Sequence, residues 1–340
     1  MKRLTSTRLW ATLGVEVGLL AAVVLASLAV GPSALGPGEL FDALLHPERP
    51  GPEADILWRI RVPRVALALG VGASLSTAGV VFQALLRNPL ADPFVLGVSG
   101  GAALGGITAL ALGAAAGLGS GAVPPAAFAG GALTTLLLFA ASGGRGRASA
   151  TALLLTGVVF NAFASAAIVF LASLSGLVEG ARIFLWLIGS LSASRADSVG
   201  WVAAFLLLGL AIAWLLARSL NLLTLGDESA AQLGVPVEAH RRWLLAATSL
   251  MVAAAVSVAG LVGFVGLIVP HALRLVLGPD HRLLVPASAL AGAIFLVVCD
   301  TVARTLLGGR ELPVGAITAL CGGPLFLFLL RRQQTRLGVA

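Results

Sequence analysis

The chain has 340 residues, of which 58% are hydrophobic and only 11% are charged, and its mean hydropathy is +1.01. A water-soluble protein of this length has too little interior for so many apolar side chains, so that class is excluded. The net charge of +7 could indicate nucleic acid, but the basic residues stand singly between apolar runs instead of forming one basic face, which argues against that partner.

The apolar runs are too long for β-strands, so the composition predicts an all-α polytopic membrane protein. The first run follows Lys2, Arg3 and Arg8, and it is longer than the core of a signal peptide, so we expect a retained first helix. Ten membrane-spanning helices are predicted, at about 9–30, 63–86, 93–115, 122–142, 150–173, 197–217, 241–260, 262–277, 284–305 and 313–331.

The second predicted span and the corner after it are the most informative stretch. The run from Pro63 to Leu86 would give roughly 36 Å of helix, enough to cross a hydrocarbon layer of about 30 Å. Asp92 and Pro93 then predict the start of the next helix, as its cap and its first residue. Glycines recur there every four residues and predict a face that another helix approaches closely, at Gly97, Gly101 and Gly105.

An even number of spans places both termini on one side of the membrane. Most of the 22 lysine and arginine residues fall on that side, which is therefore predicted to be cytoplasmic. On the outer side, a short helix is predicted near Glu39–Leu45, and the apolar part of Ser175–Arg195 predicts a half-helix at the interface. A tight outer turn is predicted near Gly260 to Gly263.

The longest cytoplasmic loop runs from Arg218 to Arg242. Within it, Asp227 is expected to cap a short helix and Gly234 to close it, which suggests a surface for another protein. No linker or soluble domain is visible, so residues 1–340 are interpreted as one transmembrane domain.

The chain lacks the motifs of a nucleotide site and of an enzyme. A phosphate-binding loop of the P-loop type needs a lysine, and the only lysine is Lys2. The histidines are dispersed, and Cys299 and Cys321 lie in apolar runs, where small buried side chains are expected instead of metal ligands. We therefore predict no catalytic residues, no metal and no bound cofactor. An integral-membrane enzyme would need a cluster of polar side chains at the membrane surface, and the sequence contains no convincing one.

Charged side chains inside the spans are few. Asp300 and Arg304 are one turn apart, so we expect them to neutralise each other. Glu16 is a solitary carboxylate in the first span, and it leaves open an ion-coupled secondary transporter as an alternative. The arginines Arg61, Arg64 and Arg304 lie at outer helix ends with too little local acid to pair them. They could snorkel to the interface or dock an acidic partner.

Eight stretches, taken in this order, resemble the permease subunits of type II ABC importers, the FecCD-like family that moves iron-siderophores, haem and cobalamin. They are RVPR (61–64), QALLRNPLADPFVLGVSGGA (83–102), LLLTGV (153–158), LGDESAAQLGV (225–235), GFVGLIVPHALR (263–274), DHRLLVP (280–286), DTVAR (300–304) and ELPVG (311–315).

The resemblance implies the type II ABC importer permease fold, with ten spans per subunit. It implies a homodimer, two cytoplasmic ATPase subunits that use ATP and Mg²⁺, and an extracytoplasmic substrate-binding protein. It also implies three sets of site residues. The residues expected to couple the chain to the ATPase are Leu225, Gly226, Asp227, Glu228, Ser229, Ala230, Ala231, Gln232, Leu233 and Gly234. Those expected to dock the binding protein are Arg61, Arg64 and Arg304. Those expected to form the cytoplasmic gate are Asn88, Leu90, Ser149, Ala150 and Thr151.

The function that follows is transport of a metal chelate across a bacterial or archaeal cytoplasmic membrane, without chemistry by this subunit. Asn161 is a pathway candidate and resembles the pattern of siderophore and haem permeases, so we favour an iron-siderophore or haem over cobalamin, the alternative. A simpler interpretation of Asn161 is an interhelical hydrogen bond.

Overall fold

The computed structural model describes residues 5–31, 36–47, 51–113, 120–141, 150–192, 196–307 and 311–336. Within these ranges the chain is helical and contains no strand. The helices are α1 (Ser6–Ala29), α2 (Pro37–Leu45), α3 (Pro52–Asp55), α4 (Val62–Leu85), α5 (Val98–Gly113), α6 (Val123–Ala141), α7 (Ala150–Leu174), α8 (Leu177–Ile188), α9 (Ala196–Leu215), α10 (Ala217–Leu223), α11 (Asp227–Gln232), α12 (Val237–Ala259), α13 (Val265–Leu277), α14 (His281–Thr305) and α15 (Val314–Arg336).

Seven helices of the described chain are long and apolar enough to cross a membrane. They are α1, α6, α7, α9, α12, α14 and the continuous helix Pro52–Leu85, which contains α3 and α4. Three apolar helices are shorter, namely α5, α13 and the part Val314–Phe328 of α15. An all-helical polytopic membrane protein is therefore confirmed with seven full-length spans, and the ten-span topology stays a prediction.

Backbone breaks explain why two of the predicted spans are short. α5 begins only at Val98, because Pro93–Leu96 forms a 3₁₀ turn and Gly97 has a φ of +85°, which favours glycine. α13 begins after the non-helical residues 260–264, and Gly260 has a φ of +69°. The predicted interruption of the helix near Gly260 to Gly263 is thus confirmed, and its position on the outer side stays a prediction. α13 covers only roughly 20 Å at 1.5 Å per residue.

The centre of the bundle is formed by α4, α12 and α14, whereas α1, α7 and α9 leave most of their surface exposed. Close backbone approach holds this centre together. A Cβ atom at Gly72 of α4 would collide with the carbonyl oxygen of Gly292 on α14, and one at Gly79 would collide with that of Gly266 on α13. Glycine at these positions lets three helices meet without a side chain between them.

The glycine stripe predicted after Asp92 is confirmed at two of its three positions. Gly101 and Gly105 of α5 face Gly130 and Ala126 of α6, with no room for a Cβ atom. Gly97 precedes α5, and its missing Cβ would lie 3.2 Å from the carbonyl oxygen of Gly157 on α7. The stripe therefore packs α5 on α6, while Gly97 seats the preceding turn on α7.

The short helices of the predicted outer side also occur where the sequence placed them. α2 matches the helix expected near Glu39–Leu45. α8 is the expected half-helix, and its 12 residues span only roughly 18 Å. It is held by Ile183, which packs with Ile107 of α5.

Candidate functional site

The chain between α9 and α12 folds into the short helices α10 and α11, which meet at Gly226. Gly226 has a φ of +116°, a conformation that favours glycine, and it immediately precedes α11. The Asp227 carboxylate then accepts a hydrogen bond of 2.7 Å from Nη2 of Arg241 on α12. Its other oxygen lies 4.0 Å from Nη2 of Arg87, just after α4. Asp227 therefore connects α11 to two of the central helices.

The predicted capping role of Asp227 is wrong. Gly226 is the residue that precedes the helix, and Asp227 is the first helical residue. The carboxylate is engaged by arginines instead of by the amides of α11. The predicted closure is confirmed, because Gly234 has a φ of +84° and the Val235 amide donates to the Ala230 carbonyl at 3.0 Å, as in a Schellman ending.

The segment Leu225–Gly234, called the α11 surface below, is exposed along most of its length. Ala230 is buried against the bundle, whereas Leu225 and Leu233 are 64% and 61% exposed. Glu228, Ser229, Ala231, Gln232 and Gly234 are also exposed. Exposed leucines rimmed by polar side chains are typical of a surface that contacts another protein.

The predicted gate residues lie at the turn after α4 and at the start of α7. The Asn88 side-chain oxygen accepts a hydrogen bond of 2.9 Å from the Leu90 amide, which fixes the turn. Ala150 is the first residue of α7, and Thr151 is exposed beside it. Ser149 lies outside the described residues. Gating by these residues stays a prediction.

Asn161 forms the interhelical hydrogen bond that was the simpler interpretation of it. Its side-chain amide on α7 donates to the Phe94 carbonyl at 2.8 Å. Its oxygen also occupies the space that a Cβ atom at Gly100 would need. Asn161 therefore holds the 3₁₀ turn Pro93–Leu96 and the start of α5 against α7.

At the opposite end of the bundle, a group of buried charges connects α1, α4 and α14. Asp300 of α14 is 1% exposed and accepts hydrogen bonds from Nε of Arg64 and from Nε of Arg304, both at 3.0 Å. Arg304 also donates to the Ser27 hydroxyl of α1 at 2.8 Å. The sequence prediction of an Asp300–Arg304 pair is confirmed, and Arg64 extends it to α4.

Arg61 binds the end of α1. It ends the π-helical turn Ile56–Arg61 that precedes α4, and its guanidinium donates to the carbonyl oxygens of Leu28 and, at 3.0 Å, Ala29. Carbonyls at a helix C-terminus lack partners within the helix and carry partial negative charge, so a guanidinium is well matched to them.

Glu311 is the second acid of this group, and the sequence interpretation missed it. Its carboxylate accepts hydrogen bonds from Nη1 of Arg64 at 2.8 Å and from the Ser192 hydroxyl at 2.9 Å. Burial opposes the charged form of Glu311, but these bonds outweigh it and hold its pKa below the ordinary value. The motif ELPVG marked the position, but nothing in it indicated a partner 247 residues away.

The expectation that the outer arginines lack local acid is wrong for Arg64 and Arg304. Arg61, Arg64 and Arg304 are only 3%, 5% and 3% exposed, and Arg64 and Arg304 share Asp300. Each guanidinium is thus turned inward among α1, α4 and α14. Docking of a binding protein on these arginines stays a prediction.

The remaining chemical expectations can be compared with the described residues. These residues contain no group of three or more histidine, cysteine, aspartate or glutamate side chains that could hold a metal ion. Cys299 is buried as expected, but Cys321 is exposed. Glu16 has one buried carboxylate oxygen without a hydrogen-bond partner among the described residues.

Comparison with known proteins places this geometry among transport proteins. The model of the FecCD transport family matches residues 19–332. A cobalamin import system permease protein of Halobacterium salinarum is 46% identical over 281 residues, which are 83% of this chain and 74% of that protein. A hemin transport system permease protein of Yersinia pestis is 40% identical, over 82% of this chain and 85% of that protein.

A solved structure has the same fold. It is described as an inward-facing conformation of a metal-chelate type ABC transporter, and it is 32% identical to this chain. The match has a TM-score of 0.84 and covers 94% of this chain and 98% of the other. The order and packing of the helices described above are therefore shared with that transporter.

Proposed function

This chain belongs to the FecCD transport family and is an ABC permease, and from that premise we propose that two copies of it form the path of an importer for a large metal chelate. The observation that carries the proposal is the family match over residues 19–332 on an all-helical membrane fold. The chelate would cross between the two copies, and the chain itself would catalyse no reaction.

The energy for transport would come from two separate ATPase subunits that bind ATP and Mg²⁺. The sequence supports this, because its only lysine is Lys2 and no P-loop occurs in it. The α11 surface is the proposed contact for the ATPase. Since Asp227 connects α11 to Arg241 of α12, a push on α11 would be transmitted to the centre of the bundle.

The proposed topology has ten spans and both termini in the cytoplasm of a bacterium or archaeon. Seven full-length helices supply most of the spans, and the shorter α5, α13 and α15 would complete them. The α11 surface would then lie in the cytoplasm, and the buried charges around Asp300 would lie at the outer end. The turn held by Asn88, with Leu90 and the start of α7, would close the path on the cytoplasmic side.

The proposed substrate class is a metal chelate, with iron-siderophore and haem tested first and cobalamin as the alternative. Relatives named for cobalamin and for hemin have similar identities to this chain, 46% and 40%. Asn161 gives no preference among these substrates, because its amide group is used in the hydrogen bond to Phe94. The chelate must therefore be identified by experiment.

The experiment is ATP hydrolysis by the complete transporter in nanodiscs, with its ATPase and its binding protein. Haem, a ferric siderophore and cyanocobalamin would be added in turn, and free ferric ion would serve as the control. We expect one chelate to stimulate hydrolysis in a saturable manner, and the free ion to give no stimulation. Stimulation by free ion alone, or by none of the four, would contradict the proposed substrate class.

Docking of the binding protein is proposed on Arg61, Arg64 and Arg304, and Glu311 would control access to Arg64. Glu311 covers Nη1 of Arg64, and its own side chain is 42% exposed, so an incoming carboxylate has to replace it. We predict that Glu311→Gln strengthens binding of the partner severalfold at low salt, because the neutral amide is a weaker competitor for Arg64. The affinity is measured with the purified binding protein and the permease in nanodiscs. Unchanged or weaker binding would count against docking at Arg64.

A further inference from the structure

An open cavity of about 420 Å³ lies where α1 begins, α9 ends and α14 begins. Its walls include Ser6, Leu9, Trp214, Leu215, Arg218 and Arg282. None of these residues belongs to the α11 surface or to the charges around Asp300. The cavity is therefore separate from every site assigned above.

The cavity lies at the level of the boundary between membrane and water. The three helices that meet there are all long enough to cross a membrane, so their ends mark the edge of the hydrocarbon layer. Trp214, in the last turn of α9, is exposed, and its indole nitrogen donates to the Arg282 carbonyl at 3.3 Å. Tryptophan is enriched at this depth of the membrane. Its ring contacts the apolar lipid chains there, and its N–H donates a hydrogen bond to a polar group.

The cavity carries a positive charge that the protein does not neutralise. Arg282 directs Nε and Nη2 to the Asp280 carboxylate, at 3.0 and 2.6 Å, so this pair is locally neutral. Arg218 is exposed on the cavity wall, and no described residue forms a hydrogen bond or an ion pair with it. The charge available to a ligand is therefore that of Arg218.

The same cavity has apolar walls. Leu215, the last residue of α9, is largely exposed, and Leu9 lies opposite it on α1. A soluble phosphate would use the arginine but leave these leucines in contact with water. A phospholipid would use both, because its phosphate and its acyl chains are joined in one molecule.

We propose that this cavity binds an anionic phospholipid of the leaflet on the N-terminal side, with the lipid phosphate on Arg218 and an acyl chain along Leu9 and Leu215. Arg218, Trp214 and the two leucines thus form a lipid site at the edge of the bundle. The site does not depend on the identity of the transported chelate, so its failure and that of the proposed substrate class are distinguishable.

The test is native mass spectrometry of the detergent-purified chain, titrated with phosphatidylglycerol or with phosphatidylcholine of the same acyl chains. We expect preferential binding of phosphatidylglycerol, and a loss of about fivefold in that binding for Arg218→Ala, since one surface arginine adds about 1 kcal/mol of attraction to anionic lipid. Arg218→Lys should keep most of the binding because it keeps the charge.

Arg242→Ala is the matched control. Arg242 is also an exposed arginine next to an exposed tryptophan, Trp243, but it does not line the cavity. We expect this variant to bind phosphatidylglycerol as the unchanged protein does. Equal losses in the two alanine variants, no preference between the lipids, or full displacement by millimolar inorganic phosphate would overturn the proposal.

Discussion

Asp300 is the residue on which the buried charges between α1, α4 and α14 depend. It is buried, and it is shared by Arg64 of α4 and Arg304 of its own helix. A buried carboxylate between two guanidiniums compensates the loss of hydration of all three groups. Removal of that carboxylate leaves two buried cations whose partners among the described residues are the more exposed Glu311 and neutral oxygens.

We predict that Asp300→Asn lowers the free energy of unfolding by about 3–5 kcal/mol, the range for removal of one partner from a buried ion pair. Thermal unfolding in detergent measures the change. Asp55→Asn is the control, because Asp55 also pairs with an arginine four residues later, at 2.9 Å, but both side chains are mostly exposed. Such a surface pair contributes about 0.3–0.5 kcal/mol. Equal small effects of both substitutions would show that the buried group is not a stabilising one.

Asp280 gives a prediction for the dependence of stability on pH. Hydrogen bonds from Arg282, followed by one from Asn221 of α10, outweigh partial burial and lower the pKa of Asp280 from 3.8 to about 2. Because the folded protein holds the charged form, this contribution is complete above about pH 4 and is lost as the pH falls toward 2.

The measurement is the melting temperature in detergent as a function of pH, for the unchanged protein and for Asp280→Asn. We expect the unchanged protein to be the more stable one at neutral pH, and the difference to shrink between pH 4 and pH 2. A difference that stays constant over this interval would contradict the assigned role of the carboxylate.

At the scale of the elements, α11 is the part whose role is most readily tested. We predict that Glu228→Arg uncouples ATP hydrolysis from uptake while the chain still inserts into the membrane, because it reverses a charge on the exposed α11 surface. Hydrolysis and uptake are measured together in proteoliposomes. Glu179→Arg, the same change at a partly exposed glutamate of α8, is the control and should keep both activities coupled. Normal uptake by Glu228→Arg would argue against contact between α11 and the ATPase.

The helices themselves could be predicted from the sequence because long apolar runs have few alternatives in a membrane. The ten predicted spans coincide with ten of the observed helices in position, and the glycines of α5 correctly indicated its contact with α6. The lengths of these helices were harder to predict from the sequence. Gly97, Gly260 and Phe264 have positive φ values that delay the start of α5 and of α13, and apolar composition does not reveal such breaks.

At the scale of the whole molecule, long-range pairs were the part that the sequence could not supply. Arg64 and Asp300 are 236 positions apart, and Glu311 is farther along the chain still. Whether an arginine at a helix end faces a partner protein or a buried acid depends on how distant helices pack. The prediction for Asp227 failed for the same reason. Its carboxylate binds Arg241 of α12 and does not cap α11, and the sequence does not show that α12 packs there.

The central claim is that this chain is a permease without its own energy source. The most direct measurement is chelate uptake by proteoliposomes that contain the chain alone or the chain with its ATPase and binding protein, each with either ATP inside or an imposed proton gradient. We predict uptake only for the complete assembly with ATP. Uptake by the chain alone under a proton gradient would contradict the claim and would favour an ion-coupled transporter that uses Glu16.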